Sequence, residues 1–251
     1  MINIVIPMAG NGSRFKNAGY LEPKPMININ SKKMIELVVN NIKPNREHRF
    51  IFICQSQHLK ETTLYTVLKN LSQSCIILEV DKVTGGAAET VLKSQDYIDN
   101  ESPLMIANCD QWIDINIDDY LNVIDSHQLD GMIMTMTASD DKWSYLRLND
   151  QEKVVEVREK EVISSEASVG IYNFARGKDF CTAATKMIQD DNHSLGEFYV
   201  APVYNYLIDH NSAVIGHYNI GEEFKGMYGL GIPKDLEKFK SSEVLFKATN
   251  F

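Results

Sequence analysis

The stretch Gly10-Asn11-Gly12-Ser13-Arg14 follows an apolar run and could hold an anion. Glycines after a strand let backbone N–H groups approach a phosphate or a base. Arginine adds a planar, two-pronged phosphate clamp. Further on, Lys24 stands between Pro23 and Pro25. The prolines fix φ and predict an extended segment that presents the lysine. Taken singly, a two-glycine loop is as readily a plain turn, and the lysine a solvated one. Together, Arg14 and Lys24 make a cationic pair suited to a polyphosphate.

Asp110 ends an apolar run, after Asn108 and Cys109. A carboxylate in that position suits Mg²⁺, which takes one or two carboxylates and completes its shell with substrate phosphates. The competing reading is a turn or helix cap, and that is the role expected of Asp118 and Asp119. Glu159-Lys160-Glu161 alone reads as a solvated charge run. A dinucleotide fingerprint needs a third glycine where Phe15 stands, and an acid where Gln55 ends the second strand. No G-K-[ST] follows the glycines, which excludes a P-loop.

The elements that must position these residues alternate. Apolar strands are expected at residues 2–7, 49–55, 74–80, 103–110 and 131–138. Helices are expected at 33–42, 57–70, 85–98 and 118–127. Near-continuous apolar strands separated by helices predict a mostly parallel sheet covered on both faces. The pattern then changes to a hairpin over 145–157, a strand at 168–175, helices at 177–190 and 197–209, a strand at 213–218 and a helix after Pro233. No linker or repeat interrupts residues 1–251. We expect one α/β domain, Rossmann-like, with a mixed and mostly parallel central sheet flanked by helices. Ligands of such sheets sit beyond the carboxyl ends of the strands. That places the opening loop, Thr84–Gly86 and Asn108–Asp110 on one rim.

In order along the chain stand GNGSRF (10–15), PKP (23–25), TGGAAETVL (84–92), NCD (108–110), EK (159–160), VGIYNF (169–174), GEF (196–198) and GIPKDL (231–236). This series resembles the nucleotidylyltransferases that make nucleotide sugars and related activated phosphates. The resemblance implies an Mg²⁺-dependent reaction, NTP + phosphorylated acceptor → NDP-acceptor + pyrophosphate. It implies a nucleotide-binding half over 1–140 and an acceptor-binding half over 141–251. Arg14 and Lys24 would grip the triphosphate. Ala9, Gly10, Gly12, Ser13, Gly85 and Gly86 would contact the nucleotide, with backbone groups of Ala9, Gly10, Gly85 and Gly86 facing base and ribose. Asp110 would ligate Mg²⁺, Lys160 would neutralise the acceptor phosphate, and Glu197 would contact the acceptor body. An acceptor phosphate is already a nucleophile, so no general base is required. The absence of a Ser-His-Asp or Cys-His arrangement agrees with that.

Departures fall on the acceptor half. Sugar-specific relatives carry a second metal-binding aspartate where Gly229 stands, with Glu222 and Glu223 the nearest candidates to replace it. Ile232 replaces the threonine of a G-T-P turn, Glu161 follows Lys160 in place of proline, and Tyr199 takes a position that is acidic in several sugar enzymes. CTP with a small non-hexose or unusual sugar phosphate is therefore favoured, in the manner of compact phosphocholine and phosphoglutamine cytidylyltransferases of capsule pathways. The alternatives are a UTP- or dTTP-dependent sugar-1-phosphate enzyme, a glycosyltransferase, and a nucleotide-binding module without catalysis. A glycosyltransferase usually needs a D-x-D pair, and Asn108-Cys109-Asp110 supplies one acid.

Bulk composition agrees. The 251 residues are 44 % apolar and carry a net charge of −9, which disfavours nucleic acid as a partner. The four cysteines fit no zinc spacing and suit a reducing cytoplasm. No membrane span or signal segment is expected. A homodimer is compatible with such folds.

Overall fold

The structure is a computed structural model that describes residues 1–251, apart from the side chains of His210 and Asn211. Its strands are β1 (Ile2–Met8), β2 (Asn28–Ile29), β3 (Lys32–Lys33), β4 (His48–Gln55), β5 (Ile76–Val80), β6 (Leu104–Ala107), β7 (Gln111–Ile113), β8 (Gly131–Thr137), β9 (Ser144–Leu148), β10 (Val154–Glu159), β11 (Glu166–Phe174), β12 (Ile215–Glu223) and β13 (Gly226–Gly229). Its α-helices are α1 (Ser13–Asn17), α2 (Met34–Ile42), α3 (Ser56–Glu61), α4 (Leu64–Leu71), α5 (Ala87–Leu92), α6 (Gln95–Ile98), α7 (Ile117–Ser126), α8 (Gly177–Gln189), α9 (Val203–Asn211), α10 (Pro233–Lys240) and α11 (Leu245–Thr249).

Eleven strands form the main sheet, in the order β5-β4-β1-β6-β11-β8-β12-β13-β7, with β9 and β10 joined through β11. Five of the eight neighbouring pairs along that path are parallel. The expected mixed, mostly parallel α/β fold is therefore what forms. Burial on both faces explains why β1 is apolar at every position but Asn3. Ile2, Ile4, Ile6 and Met8 enter the core under α2, α4 and α7, while Val5 enters the opposite core under α5, α8 and α9. In β4, Phe50, Phe52 and Cys54 go one way and Ile51 and Ile53 the other.

A third, smaller cluster decides the shape of the opening loop. Phe15 is 1 % exposed and packs with Leu37, Trp112, Leu236 and Phe239. The residue in place of a third glycine is thus an apolar anchor. It ties α1 to α2 and to the C-terminal helix α10.

Several expected elements differ in extent. The helix expected at 57–70 breaks between α3 and α4. There the Thr62 hydroxyl donates to His58 O at 2.7 Å and accepts from Leu64 N at 3.1 Å, offering the backbone an alternative to the helix. The helix expected at 85–98 breaks between α5 and α6, where the Ser94 hydroxyl donates to Val91 O at 2.6 Å. The helix expected from 197 begins only at Val203. Before it, Ser194 and Glu197 exchange two backbone hydrogen bonds of 3.0 and 2.9 Å around Leu195 and Gly196, both at positive φ. The strand expected through Asp110 stops at Ala107. The chain turns there and crosses to β7 at the far edge of the sheet.

That turn depends on β11. The register of β11 against β8 shifts between Ser168 and Tyr172, and Gly170 sits there at φ 84°. Its carbonyl accepts from Asn108 N at 3.0 Å. A Cβ on residue 170 would lie 2.1 Å from Asn108 Nδ2. Gly170→Ala combines positive-φ strain with that clash, and should cost about 1–3 kcal/mol of stability in urea unfolding. A wild-type unfolding midpoint would refute this account of the turn.

Candidate functional site

The carboxyl ends of β1, β4 and β6 open onto two neighbouring cavities. The first has a volume of about 420 Å³ and is lined by residues 7–13, Lys16, residues 22–25, His58, residues 83–87, Thr90, Asn108, Cys109, Gly196 and Glu197. The second, of about 550 Å³, is lined by Arg14, Asn108, Asp110, Gln111, Lys142, Trp143, Lys160, Val169, Met227, Gly229, Gly231, Ile232 and Asp235. Both volumes are in the range of small-ligand sites. Asn108 belongs to both.

The opening loop is held by its carbonyls and leaves its donors open. Gln55, at the end of β4, donates from Nε2 to Ala9 O at 2.8 Å and to Gly10 O at 3.1 Å. Gly12 is at φ 60°, and its carbonyl accepts from Phe15 and Lys16 N–H. Among the described residues, the N–H groups of Asn11, Gly12, Ser13 and Arg14 have no acceptor. Such a run of unengaged N–H groups makes a concave anion seat.

Gly85 and Gly86 are more constrained. Gly85 N donates to the Glu89 carboxylate at 2.6 Å, and Gly85 O accepts from Phe198 N at 2.8 Å. Gly86 O accepts from the Thr84 and Thr90 hydroxyls and from Thr90 N. A Cβ on Gly86, at φ 150°, would lie 2.4 Å from the Phe198 backbone. These glycines therefore join the start of α5 to the Gly196–Phe198 segment. Their polar groups are mostly engaged within the protein.

Lys24 and Asp110 meet between the cavities. Lys24 opens a 3-10 turn over Lys24–Met26, in place of the expected extended segment. Lys24 Nζ donates to Asp110 Oδ2 at 2.8 Å, with the two side chains 25 % and 23 % exposed. Burial pulls the Lys24 pKa down, but the adjacent Asp110 carboxylate outweighs it and holds the ammonium above the ordinary lysine value. Gly231 closes the other side of Asp110, since a Cβ there would stand 2.5 Å from Oδ2.

The structure divides the expected residues between the cavities. Ala9, Gly10, Gly12, Ser13, Lys24, Gly85 and Gly86 line the first, and Arg14, Asp110 and Lys160 line the second. Arg14 is exposed and unpaired among the described residues, and Lys16 takes the corresponding place in the first cavity. Glu197 lines the first cavity and not the second. Lys160 stands at φ 55°, with its N–H donating to Trp143 O at 2.9 Å and Nζ donating to the Tyr199 hydroxyl at 2.9 Å. The bond to that hydroxyl holds the Lys160 pKa above its usual value.

Gln55, Lys16, Lys142, Trp143, Gly231 and Asp235 escaped the sequence reading. Gln55 had a visible signal, a polar residue ending an apolar strand. The others gather only through the fold. Glu223 pairs with Lys142 at 2.9 Å. Neither Glu222 nor Glu223 lines either cavity.

A family model described as Nucleotidyl transferase matches residues 4–198. The chain belongs to that family. Among solved structures, a nucleoside-diphosphate-sugar pyrophosphorylase from Vibrio cholerae RC9 is 26 % identical, with a TM-score of 0.79 over 95 % of this chain and 100 % of that one. An inositol-1-phosphate CTP transferase from T. maritima is 16 % identical, with a TM-score of 0.74 over 98 % of this chain and 95 % of its own. A UDP-glucose pyrophosphorylase complexed with UDP-glucose is 18 % identical, with a TM-score of 0.75 over 100 % and 98 %. No curated protein sequence matches this chain significantly. No helix among the described residues is long and apolar enough to cross a membrane.

Of the cysteines of this nucleotidyl transferase, Cys109 lines the first cavity. All four are buried and free. Burial pushes the Cys109 thiol up to about 11 and the Cys181 thiol up to about 12, and raises Cys54 and Cys75 as well. Thiolate forms only above the pKa, so at pH 8 these groups stay protonated and covered. Ellman's reagent at pH 8 should label none within minutes in the native protein and all four in urea. Rapid native labelling would overturn this.

Proposed function

We propose that this nucleotidyl transferase joins an NTP to a phosphorylated small molecule and releases pyrophosphate. The carrying observation is that two cavities of ligand size adjoin, with Lys24 of the first bonded to Asp110 of the second. In this reading the NTP occupies the first cavity. Its phosphates meet the open N–H groups of residues 11–14, and Lys16 and Lys24 offset their charge. The acceptor occupies the second cavity, with Arg14 and Lys160 offsetting its phosphate.

An acceptor phosphate oxygen attacks the α-phosphorus and forms a new P–O–P link. The bond to the β-phosphate oxygen breaks, and pyrophosphate leaves with the electron pair. No proton need be removed from the nucleophile. The protein must align the two anions and cancel their charge as it redistributes.

Asp110 fits a metal held jointly by protein and substrate. One carboxylate, already beside a cation, stands at the junction where phosphates would meet. No group of three or more His, Cys, Asp or Glu among the described residues could cage a metal alone. Mg²⁺ suits that arrangement, and when bound it would add positive charge at the phosphates. Asp110 would then exchange part of its bond to Lys24 for the metal.

We take the nucleotide-binding half as residues 1–140 and the acceptor-binding half as 141–251. CTP is the favoured nucleotide and surface-polysaccharide precursor synthesis in the cytoplasm the favoured setting. Both rest on the resemblance to compact cytidylyltransferases and on the departures at Gly229, Glu161 and Tyr199. A UTP- or dTTP-dependent sugar-1-phosphate enzyme is the alternative.

The test is a matrix of each NTP against sugar, polyol, amine and amino-acid phosphates with Mg²⁺, following pyrophosphate release. Turnover should require one NTP, one acceptor and the metal. Lys24→Ala and Arg14→Ala should each lower kcat/KM by about 10²-fold or more while the protein stays folded. Tight NTP binding without turnover would favour a binding module. Normal rates in both variants would remove the assigned roles.

A further inference from the structure

Asp235 lines the second cavity with Arg14, Lys142, Lys160 and Asp110. It lies in the first turn of α10, half-buried. Among the described residues its carboxylate accepts no hydrogen bond and makes no ion pair. A helix acid at this position can reach back to the cap N–H, but this one does not. Burial and the nearby Glu223 raise its pKa, while Lys142, Lys234 and Lys238 act against them. Of the cations that line the cavity, two are engaged and Arg14 is unpaired among the described residues. Lys142 Nζ bonds Glu223 at 2.9 and 3.1 Å, and Lys160 Nζ bonds Tyr199. The space before the carboxylate is open because residue 229 is glycine. A Cβ there would lie 3.8 Å from Asp235 Oδ2, and a longer side chain would fill the gap.

We infer that Asp235 selects the acceptor by accepting a hydrogen bond from it. The inference rests on the second cavity being the acceptor site. An unpaired carboxylate repels the acceptor's phosphate. The phosphate must therefore lie toward Arg14 and Lys160, leaving Asp235 to the rest of the molecule. A half-buried carboxylate without a partner favours a donor in that place: an ammonium, or a hydroxyl or amide N–H. Trp143, also lining the cavity, gives the carbon skeleton an apolar wall. The substrate class is thus a phosphomonoester with a hydrogen-bond donor away from its phosphate. Gly229 and Asp235 act together, one making room and the other supplying the acceptor oxygen.

The test uses the full chain with its active NTP and Mg²⁺. The probes are ethanolamine phosphate, glycerol phosphate, glucose 1-phosphate and propyl phosphate, the last without a distal donor. At least one donor-bearing ester should be used tenfold or more better than propyl phosphate. Asp235→Ala should raise the KM of that ester about tenfold, leaving the KM of the NTP and the unfolding midpoint unchanged. Asp235→Asn keeps a neutral oxygen. It should hold a hydroxyl-bearing ester within a few-fold and lose tenfold or more on an ammonium-bearing one, which tells the two donor types apart. An unchanged acceptor KM in Asp235→Ala, or a raised NTP KM instead, overturns the assignment while nucleotidyl transfer stands. Failure of the wild type on every ester rejects transfer to these phosphomonoesters, and the role of Asp235 falls with it.

Discussion

The contact between Lys24 and Asp110 links parts of the chain 86 positions apart, and the geometry of the site depends on it. Lys24 stands on a turn that follows the opening loop, and Asp110 on the turn that carries the chain from β6 to β7. Each is about one quarter exposed, so the pair is neither a surface ion pair of negligible strength nor a fully dehydrated one. Glycine at position 231 lets the 230–231 backbone close on Asp110, and the Leu230 N–H donates to Asp110 O at 2.8 Å. In the functional reading proposed above, this pair lies where two anions that repel each other must meet.

The two cavities solve different electrostatic problems in an acidic protein. The first relies on backbone. Gln55 pins two loop carbonyls, and four N–H groups have no acceptor among the described residues. Backbone donors carry no net charge, so they can hold phosphate without a dense lysine patch. The second relies on side chains of both signs, with Arg14, Lys142 and Lys160 against Asp110 and Asp235. Mixed signs suit a ligand that is not an anion throughout.

Phe15 and Gly170 show how the frame serves the site. Phe15 is buried among C-terminal side chains, so the opening loop is anchored by residues more than 200 positions away. Gly170 interrupts β11 and receives Asn108, the residue common to both cavities. Neither contact is encoded near the residue that it positions.

The sequence by itself determined the alternating α/β pattern, because strands buried on two faces must be apolar along their central residues, as Ile4–Ile6 of β1 and Phe50–Cys54 of β4 are. It also marked the glycine loop and Asp110 by their place after apolar runs, and Lys24 by its flanking prolines. It misjudged where helices break, since Thr62 and Ser94 compete with backbone bonds in ways that periodicity does not register. Only the tertiary structure decided which cavity each residue serves. It sent Arg14 to the second and Glu197 to the first, and brought Lys142, Trp143 and Asp235 together. The reason is that a cavity is a property of chain crossings. The path from β6 to β7 at the far sheet edge, and the bulge at Gly170, depend on long-range packing that no local spacing contains.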